Sequence, residues 1–219
     1  MKFENTEVFN FKGALRGMRN PMNSWNKSDS FFVKGFTEFS FGKNDLKLAQ
    51  TLIKAGSEHR KFMRQIFVLV DITAPLYWWK EFDTYKVGTV ANSTSTMHKL
   101  ASTPITKDCF EMDDFENLEG NFLVQDNGSD DTDGVWYELI ENLEWLRWKY
   151  NETKDKRYWK ELIRLLPESW LQTRTISMNY ENVLNMVNHR KNHKLTEWSK
   201  SFIDWAKSLP YANELLFFL

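Results

Sequence analysis

Two asparagines and an arginine follow a proline at fixed intervals in the C-terminal part of the chain. Asn179 comes twelve residues after Pro167, Asn185 six residues later, and Arg190 five residues after that. A carboxamide both donates and accepts hydrogen bonds, and a guanidinium grips phosphate through a planar fork of donors. On a helix and at its C-terminal end, such groups can bind a heterocycle edge and a phosphate. From residue type alone, helix caps and surface polar positions are the favoured explanation.

Metal and nucleophile chemistry has little support in the sequence. His189 and His193 are four residues apart, so on a helix they would share a face and, with a third ligand, hold zinc. No glutamate follows His189, so the helical metalloprotease motif is absent, and a structural or surface role is favoured. Cys109 is the sole cysteine, and its acidic neighbour Asp108 disfavours a reactive thiolate. We therefore predict no metal site and assign no catalytic residue.

The acidic run at residues 126–134 predicts a solvated loop. Its alternative interpretation is a calcium loop with Gly134 as the turn glycine, but Ile140 then stands where a bidentate glutamate is required. No glycine-rich phosphate loop, nucleophile elbow or kinase signature occurs in the sequence. Any activity must therefore depend on a cofactor or on scattered polar residues.

Composition narrows the class of protein. The 219 residues fit one domain over residues 1–219, and the net charge of −1 gives no support for a nucleic-acid or membrane-surface partner. No apolar run approaches the ~20 residues of a spanning helix, and the N-terminus lacks the apolar stretch of a signal peptide. A lone cysteine fits a reducing compartment. These features predict a cytoplasmic protein without a membrane partner.

The elements expected to position these residues follow from hydrophobic spacing, and the overall class is α+β with helix dominating the second half. Asn44 and Asp45 are expected to cap a helix that stops at Gly56. We further predict a strand at residues 62–73, a helix begun by Pro75, a loop at 87–96, and helices at 136–150, 157–166, 179–188 and 195–208.

The C-terminal motif resembles that of the flavin-dependent thymidylate synthases. The family's Leu-Pro, its two asparagines and its arginine match without a gap at Leu166-Pro167, Ser177-Met178-Asn179, Asn185 and Arg190. In that family the asparagines contact the flavin and the arginine contacts the nucleotide. The resemblance covers the chain from about Glu58 to Leu209.

A second stretch resembles the family's Arg-His-Arg-x-x-Ser segment, with several replacements. The corresponding residues run from Thr84 to Thr89, where Lys86 replaces the last arginine and Thr89 the serine. In the C-terminal motif, Glu181 stands where the family has an arginine, and Arg164 is one residue away from the position of another. The central signature of the family is therefore largely substituted.

The resemblance implies the fold of these synthases, with an antiparallel or mixed sheet, and a homotetramer as the oligomeric state. The family methylates deoxyuridine monophosphate, with a folate as carbon donor and reduced FAD as hydride donor. By resemblance, FAD would be held by Lys86, Asn179 and Asn185, and a uridine nucleotide by Tyr85, Thr89 and Arg190. The alternatives are a non-catalytic relative that binds a nucleotide and an oligomeric interaction protein.

Overall fold

The computed structural model describes residues 1–33, 39–112 and 135–218, so the predicted acidic loop at 126–134 lies outside the described residues. The chain forms two compact units. One contains Met1, Thr73–Phe82 and Ser93–Arg174, and the other contains Lys2–Ile72, Asp83–Asn92 and Thr175–Leu219. The six predicted ligand-binding residues all belong to the second unit.

The chain combines helices with antiparallel strands, which confirms the predicted α+β class. The strands are β1 (Lys2–Phe9), β2 (Phe31–Phe32), β3 (Phe39–Ser40), β4 (Phe67–Pro75), β5 (Val90–Ser93) and β6 (Leu171–Asn179). One sheet has the strand order β1-β4-β6-β5. In the other, β2 and β3 pair antiparallel, with Phe31 opposite Ser40 and Phe32 opposite Phe39.

The helices lie between and after these strands in the sequence and dominate the C-terminal half. They are α1 (Phe11–Arg19), α2 (Lys43–Lys54), α3 (Leu76–Phe82), α4 (Thr96–Lys99), α5 (Val135–Thr153), α6 (Lys156–Leu165), α7 (Tyr180–Arg190), α8 (Ile203–Ser208) and α9 (Ala212–Leu215). A π-helical segment, Glu197–Phe202, leads directly into α8. Among the described residues, no helix combines the length and the apolar character needed to cross a bilayer.

Four predicted helices are confirmed with small shifts of their ends. They are observed as α5, α6, α7 and the π-helical segment with α8. In the first unit, α5 and α6 pack on a core made by the buried side chains of Leu100, Ile105, Phe110, Leu143, Leu146 and Leu162. Helical periodicity is a local property, so the apolar stripe was sufficient to locate these elements.

The strand predicted at residues 62–73 is wrong in its first part. Residues Lys61–Gln65 form a 3₁₀ turn that buries Phe62 and Met63, and β4 begins at Phe67. Within β4, Val68, Val70 and other alternate side chains are buried, as expected for the two-residue period of a strand. The prediction began too early because the buried apolar residues of the 3₁₀ turn directly precede those of β4 in the sequence.

Asp71 of β4 is hydrogen bonded to the strands on either side. Its carboxylate accepts a hydrogen bond from Thr175 Oγ1 of β6 at 2.6 Å and from Asn5 Nδ2 of β1 at 2.8 Å. The bonds from Thr175 and Asn5 lower the pKa of Asp71 below its usual value. These contacts link β1, β4 and β6 within the second unit.

The capping prediction for α2 is wrong. Gly42 is the N-cap residue, and Asp29 accepts hydrogen bonds from the backbone amides of Asn44 and Asp45 at 2.9 and 3.0 Å. The carboxylate of Asp29, which lies outside the helix, therefore caps the first-turn amides in place of the side chains of Asn44 and Asp45. The predicted stop is confirmed, because Gly56 follows the helix with φ of 103°.

Asp45 is instead a fully buried anion. It accepts hydrogen bonds from Arg19 Nε, from Ser28 Oγ at 2.7 Å and from Ser30 Oγ at 2.6 Å. Burial opposes ionisation, but the hydrogen bonds from Ser30, Ser28 and Arg19 outweigh it and hold the pKa of Asp45 below its usual value. This ion pair fastens α2 to α1.

The loop predicted at residues 87–96 is wrong for its central part, where β5 spans Val90–Ser93. All four residues of β5 are exposed, so the strand has no buried stripe to reveal it in the sequence. Strand β5 lies at the edge of the sheet, where it pairs with β6.

Candidate functional site

Helix α7 carries Asn185 and Arg190, and Asn179 is its N-cap residue, where a capping box closes the first turn. Asn179 Oδ1 accepts a hydrogen bond from the Asn182 backbone amide at 3.0 Å, and Asn182 Oδ1 accepts one from the Asn179 amide at 3.1 Å. A cap of this kind stabilises a helix by about 1 kcal/mol. Asn179 therefore has a structural role whether or not it touches a ligand.

Tyr180 fixes the position of this helix start. Its backbone amide donates to the Ile66 carbonyl at 3.0 Å, and its hydroxyl donates to the Pro210 carbonyl at 2.7 Å. Burial raises the pKa of Tyr180, so the phenol stays protonated and keeps donating this bond. The beginning of α7 is thus tied both to the segment before β4 and to the segment before α9.

The segment from Tyr85 to Thr89, which we call the 85–89 loop, lies along α7. Asn182 Nδ2 donates to the Val87 carbonyl at 2.7 Å, and Gly88 adopts φ of 80° beside the capping box. Thr89 Oγ1 donates to the Tyr85 carbonyl at 2.7 Å, which closes the loop on itself. The loop backbone is therefore held by contacts at its centre and by its own internal bond.

Arg190 joins the other end of α7 to the same loop. Its Nε donates to Tyr85 Oη at 2.9 Å, and its guanidinium lies over the rings of Tyr85 at 5.5 Å and Trp198 at 4.8 Å. Stacking on aromatic faces stabilises a guanidinium while leaving the planar group oriented. As the last residue of α7, the arginine also interacts favourably with the helix dipole.

A buried carboxylate on α7, Glu181, binds two arginines from the segment before β4. Arg60 Nε donates to Glu181 Oε1 at 3.0 Å, and Arg64 Nε donates to Glu181 Oε2. Burial opposes ionisation of Glu181, but the hydrogen bonds from Arg64 and Arg60 prevail and hold its pKa below the usual value. Arg60 also donates from Nη2 to Asn185 Oδ1 at 3.0 Å.

The structure brings most of the predicted residues into one region of the second unit. Tyr85 contacts both Arg190 and Thr89, and the capping box of Asn179 lies against the loop at Gly88. Asn185 contacts Arg60. Lys86 is exposed on the loop and forms no hydrogen bond or ion pair with the part of the chain that the structure describes.

Four residues of this region were missed by the sequence reasoning, namely Arg60, Arg64, Asn182 and Trp198. Arg60 lies near the start of the stretch that resembles the family, which begins at about Glu58, but no motif marks the residue itself. Its partner Glu181 is 121 residues away, so no local pattern announces the contact. Asn182 was detectable as the third residue after an asparagine at a helix start.

The zinc alternative is not supported at the two C-terminal histidines. Helix α7 ends at Arg190, so His193 lies beyond it and shares no helical face with His189. His193 Nδ1 accepts a hydrogen bond from the Leu195 amide, and His189 stacks on Tyr85. Within residues 1–33, 39–112 and 135–218, no group of three His, Cys, Asp or Glu side chains is placed to hold a metal ion.

Comparison with solved structures identifies the fold. The chain superposes over 99% of its length on 98% of the flavin-dependent thymidylate synthase from Helicobacter pylori complexed with FAD and dUMP, with a TM-score of 0.68 and 18% identity. A second structure of the Helicobacter pylori synthase with FAD and dUMP gives a TM-score of 0.66 and 17% identity, covering 99% of this chain and 97% of that one. No protein-family model and no curated protein sequence matches. The predicted flavin-dependent thymidylate synthase-like fold is confirmed.

Proposed function

We propose that this chain binds FAD and a uridine nucleotide at the surface formed by α7 and the 85–89 loop, as a divergent relative of the flavin-dependent thymidylate synthases. The observation that carries this proposal is the contact between Arg190 and Tyr85. It unites the two segments that resemble the family's motifs, in a chain with that family's fold.

The chemistry of these side chains fits both ligands. FAD and a nucleotide are anionic and rich in acceptor atoms, and the site offers a guanidinium, an ammonium and carboxamide N–H groups. In this proposal Lys86, Asn179 and Asn185 hold FAD, while Tyr85, Thr89 and Arg190 hold the uridine nucleotide. When bound, FAD supplies the hydride-transfer chemistry, and the chain's residues orient the partners and neutralise the phosphate.

Arg190 is the residue suited to the nucleotide phosphate. Its guanidinium lies over the rings of both Tyr85 and Trp198 and donates to Tyr85 Oη, so the group is oriented before a ligand arrives. A preorganised guanidinium loses less conformational entropy for each hydrogen bond it forms. A charge-assisted bond to phosphate contributes roughly 1.5–3 kcal/mol, so this one side chain has a measurable effect on nucleotide affinity.

A non-catalytic, nucleotide-binding relative is the second candidate function. The buried Glu181 engages both Arg60 and Arg64, and the 85–89 loop carries a single cation, Lys86. Both features reduce the positive charge offered to anionic ligands. A working synthase would also need a folate as carbon donor, and by the same resemblance we expect a homotetramer.

Flavin absorbance and fluorescence of the purified protein test the proposal. FAD is titrated into the wild type with and without dUMP, and we expect a perturbed flavin spectrum and saturable dUMP binding. Arg190→Ala should weaken dUMP binding about tenfold or more, through loss of the phosphate contact. Arg157→Ala is the matched control, because Arg157 is an exposed arginine of α6 paired with Asp155. If the wild-type protein binds neither FAD nor dUMP, the proposal is contradicted.

Turnover separates the two candidate functions once binding is established. Wild-type protein is supplied with reduced FAD, dUMP and a folate carrying a one-carbon unit, and thymidylate is measured. Product formation that requires all three compounds supports the synthase. Binding of FAD and dUMP without product supports the non-catalytic relative.

A further inference from the structure

One side of α7 presents a carboxylate and a carboxamide to the same arginine. Glu181 and Asn185 are four residues apart, so they lie one above the other on the helix surface. Arg60 spans them, with Nε 3.0 Å from Glu181 Oε1 and Nη2 3.0 Å from Asn185 Oδ1. The Arg60 side chain is 16% exposed and that of Glu181 only 9%, so the bridge is largely shielded from water.

The chemistry of the guanidinium decides how the Asn185 amide is turned. A guanidinium only donates hydrogen bonds and remains protonated, so it can face only the oxygen of a carboxamide. The NH₂ group of Asn185 must then point away from Arg60. In the part of the chain that the structure describes, Nδ2 donates to no acceptor. The half-buried amide therefore retains two donors and has its acceptor occupied.

Arg60 is itself held in place by charge. Glu181 keeps a lowered pKa and so remains ionised, and Arg64 donates to its second oxygen. Rotation of the Asn185 amide would place NH₂ against the guanidinium, donor against donor, and would leave a shielded Arg60 donor without an acceptor. One amide orientation is strongly preferred as a result.

We propose that Arg60 is a positioning residue, which holds the Asn185 carboxamide with its N–H groups outward so that Asn185 recognises a hydrogen-bond acceptor on the ligand. This inference rests on the proposed function, in which Asn185 lies at the flavin. The group recognised is a carbonyl oxygen or an unprotonated ring nitrogen of the heterocycle. A ligand edge that offers only N–H donors is rejected.

The substitution Asn185→Asp tests this assignment directly. The new carboxylate still accepts the bond from Arg60, but it has no N–H to donate to the ligand. We expect the FAD dissociation constant to rise about tenfold or more while the urea midpoint of unfolding is unchanged or higher. Asn188→Asp is the matched control, because it makes the same charge change at an exposed position of α7. Unchanged or tighter FAD binding by Asn185→Asp overturns the proposal.

Arg60 variants separate positioning from a purely structural role. Arg60→Ala releases the amide and should weaken FAD binding, whereas Arg60→Lys keeps a donor and should restore part of the affinity. If Arg60→Ala does not fold, the comparison of Asn185→Asp with Asn188→Asp still decides the matter. Equal FAD affinity in folded Arg60→Ala and wild type contradicts the positioning role.

A ligand-free measurement distinguishes failure of this inference from failure of the proposed function. If wild-type protein does not bind FAD, the proposed function fails, and hydrogen exchange of the Asn185 side-chain amide by NMR tests the orientation alone. We expect its N–H protons to exchange nearly as fast as those of exposed Asn188. Strong protection would show that Nδ2 is already bonded within the protein, and would overturn the inference.

Discussion

Gly88 lies directly against the capping box of α7, so close that a Cβ atom there would be 3.1 Å from Asn182 Oδ1. The same Cβ would be 3.0 Å from Asn179 Nδ2, and the backbone φ is 80°. Both the left-handed conformation and the tight space favour glycine at this point. The approach of the 85–89 loop to α7 therefore depends on this residue.

Gly88→Ala should destabilise the protein more than the same change at another glycine with positive φ. Gly56 has φ of 103° but no atom within 4 Å of a built Cβ, so Gly56→Ala measures the conformational cost alone, about 1–2 kcal/mol. Crowding against Asn179 should add about 1 kcal/mol at Gly88. Urea unfolding of both variants checks this, and equal losses would mean that the loop yields without cost.

Asn179→Ala should cost about 1 kcal/mol of stability, because the first turn of α7 loses the acceptor for the Asn182 amide. Asn179→Ser retains a capping oxygen and should lie within a few tenths of a kcal/mol of the wild type. Thermal unfolding measures both. If the serine variant is as unstable as the alanine variant, the cap is not the reason for asparagine at this position.

Glu181→Gln should reduce the acid sensitivity of the fold. The pKa of Glu181 is lowered in the folded protein, so its pairing stabilises the fold above the unfolded pKa of about 4.3 and is lost as pH falls through the folded value. The wild type should therefore lose more stability than the variant between about pH 5 and pH 3. At neutral pH the variant should be less stable by roughly 1–3 kcal/mol.

Urea unfolding at a series of pH values provides the measurement for Glu181. Glu161→Gln serves as the control, because Glu161 forms an exposed pair with Arg164 on α6 and such pairs contribute at most about 1 kcal/mol. Parallel pH profiles for wild type and Glu181→Gln would exclude Glu181 as a group that titrates with unfolding.

Asp45→Asn should be among the most damaging single changes, at about 3–5 kcal/mol, because it leaves the buried Arg19 without its counter-ion. Asp204→Asn alters an exposed pair with Lys207 and should change stability by less than about 0.5 kcal/mol. Denaturant midpoints of the two variants test the contrast. A small loss for Asp45→Asn would show that the serine hydroxyls suffice to satisfy Arg19 and the neighbouring amides.

Local patterns in the sequence were sufficient to predict the helices of the C-terminal half and to select the ligand-binding candidates by their spacing. Apolar residues at intervals of three and four define α5, α6 and α7, because helical hydrogen bonds and side-chain neighbours lie within one turn. Asn185 and Arg190 are five residues apart in the sequence, and both lie on α7. The resemblance to the synthase motifs rested on such local spacing, and the fold comparison confirmed the fold that it implied.

The contact partners of these residues, in contrast, depend on how distant segments pack against one another. The sequence predicts Asp45 as a helix cap, whereas in the structure it is the buried counter-ion of Arg19. Glu181 replaces an arginine of the family motif, and in the structure its carboxylate binds Arg60. Strand β5 exists through its pairing with β6, although none of its side chains is buried. Arg19 and Asp45 are 26 residues apart in the sequence, and Arg60 and Glu181 are 121 apart. Such contacts form only when the segments pack together, so no local period in the sequence encodes them.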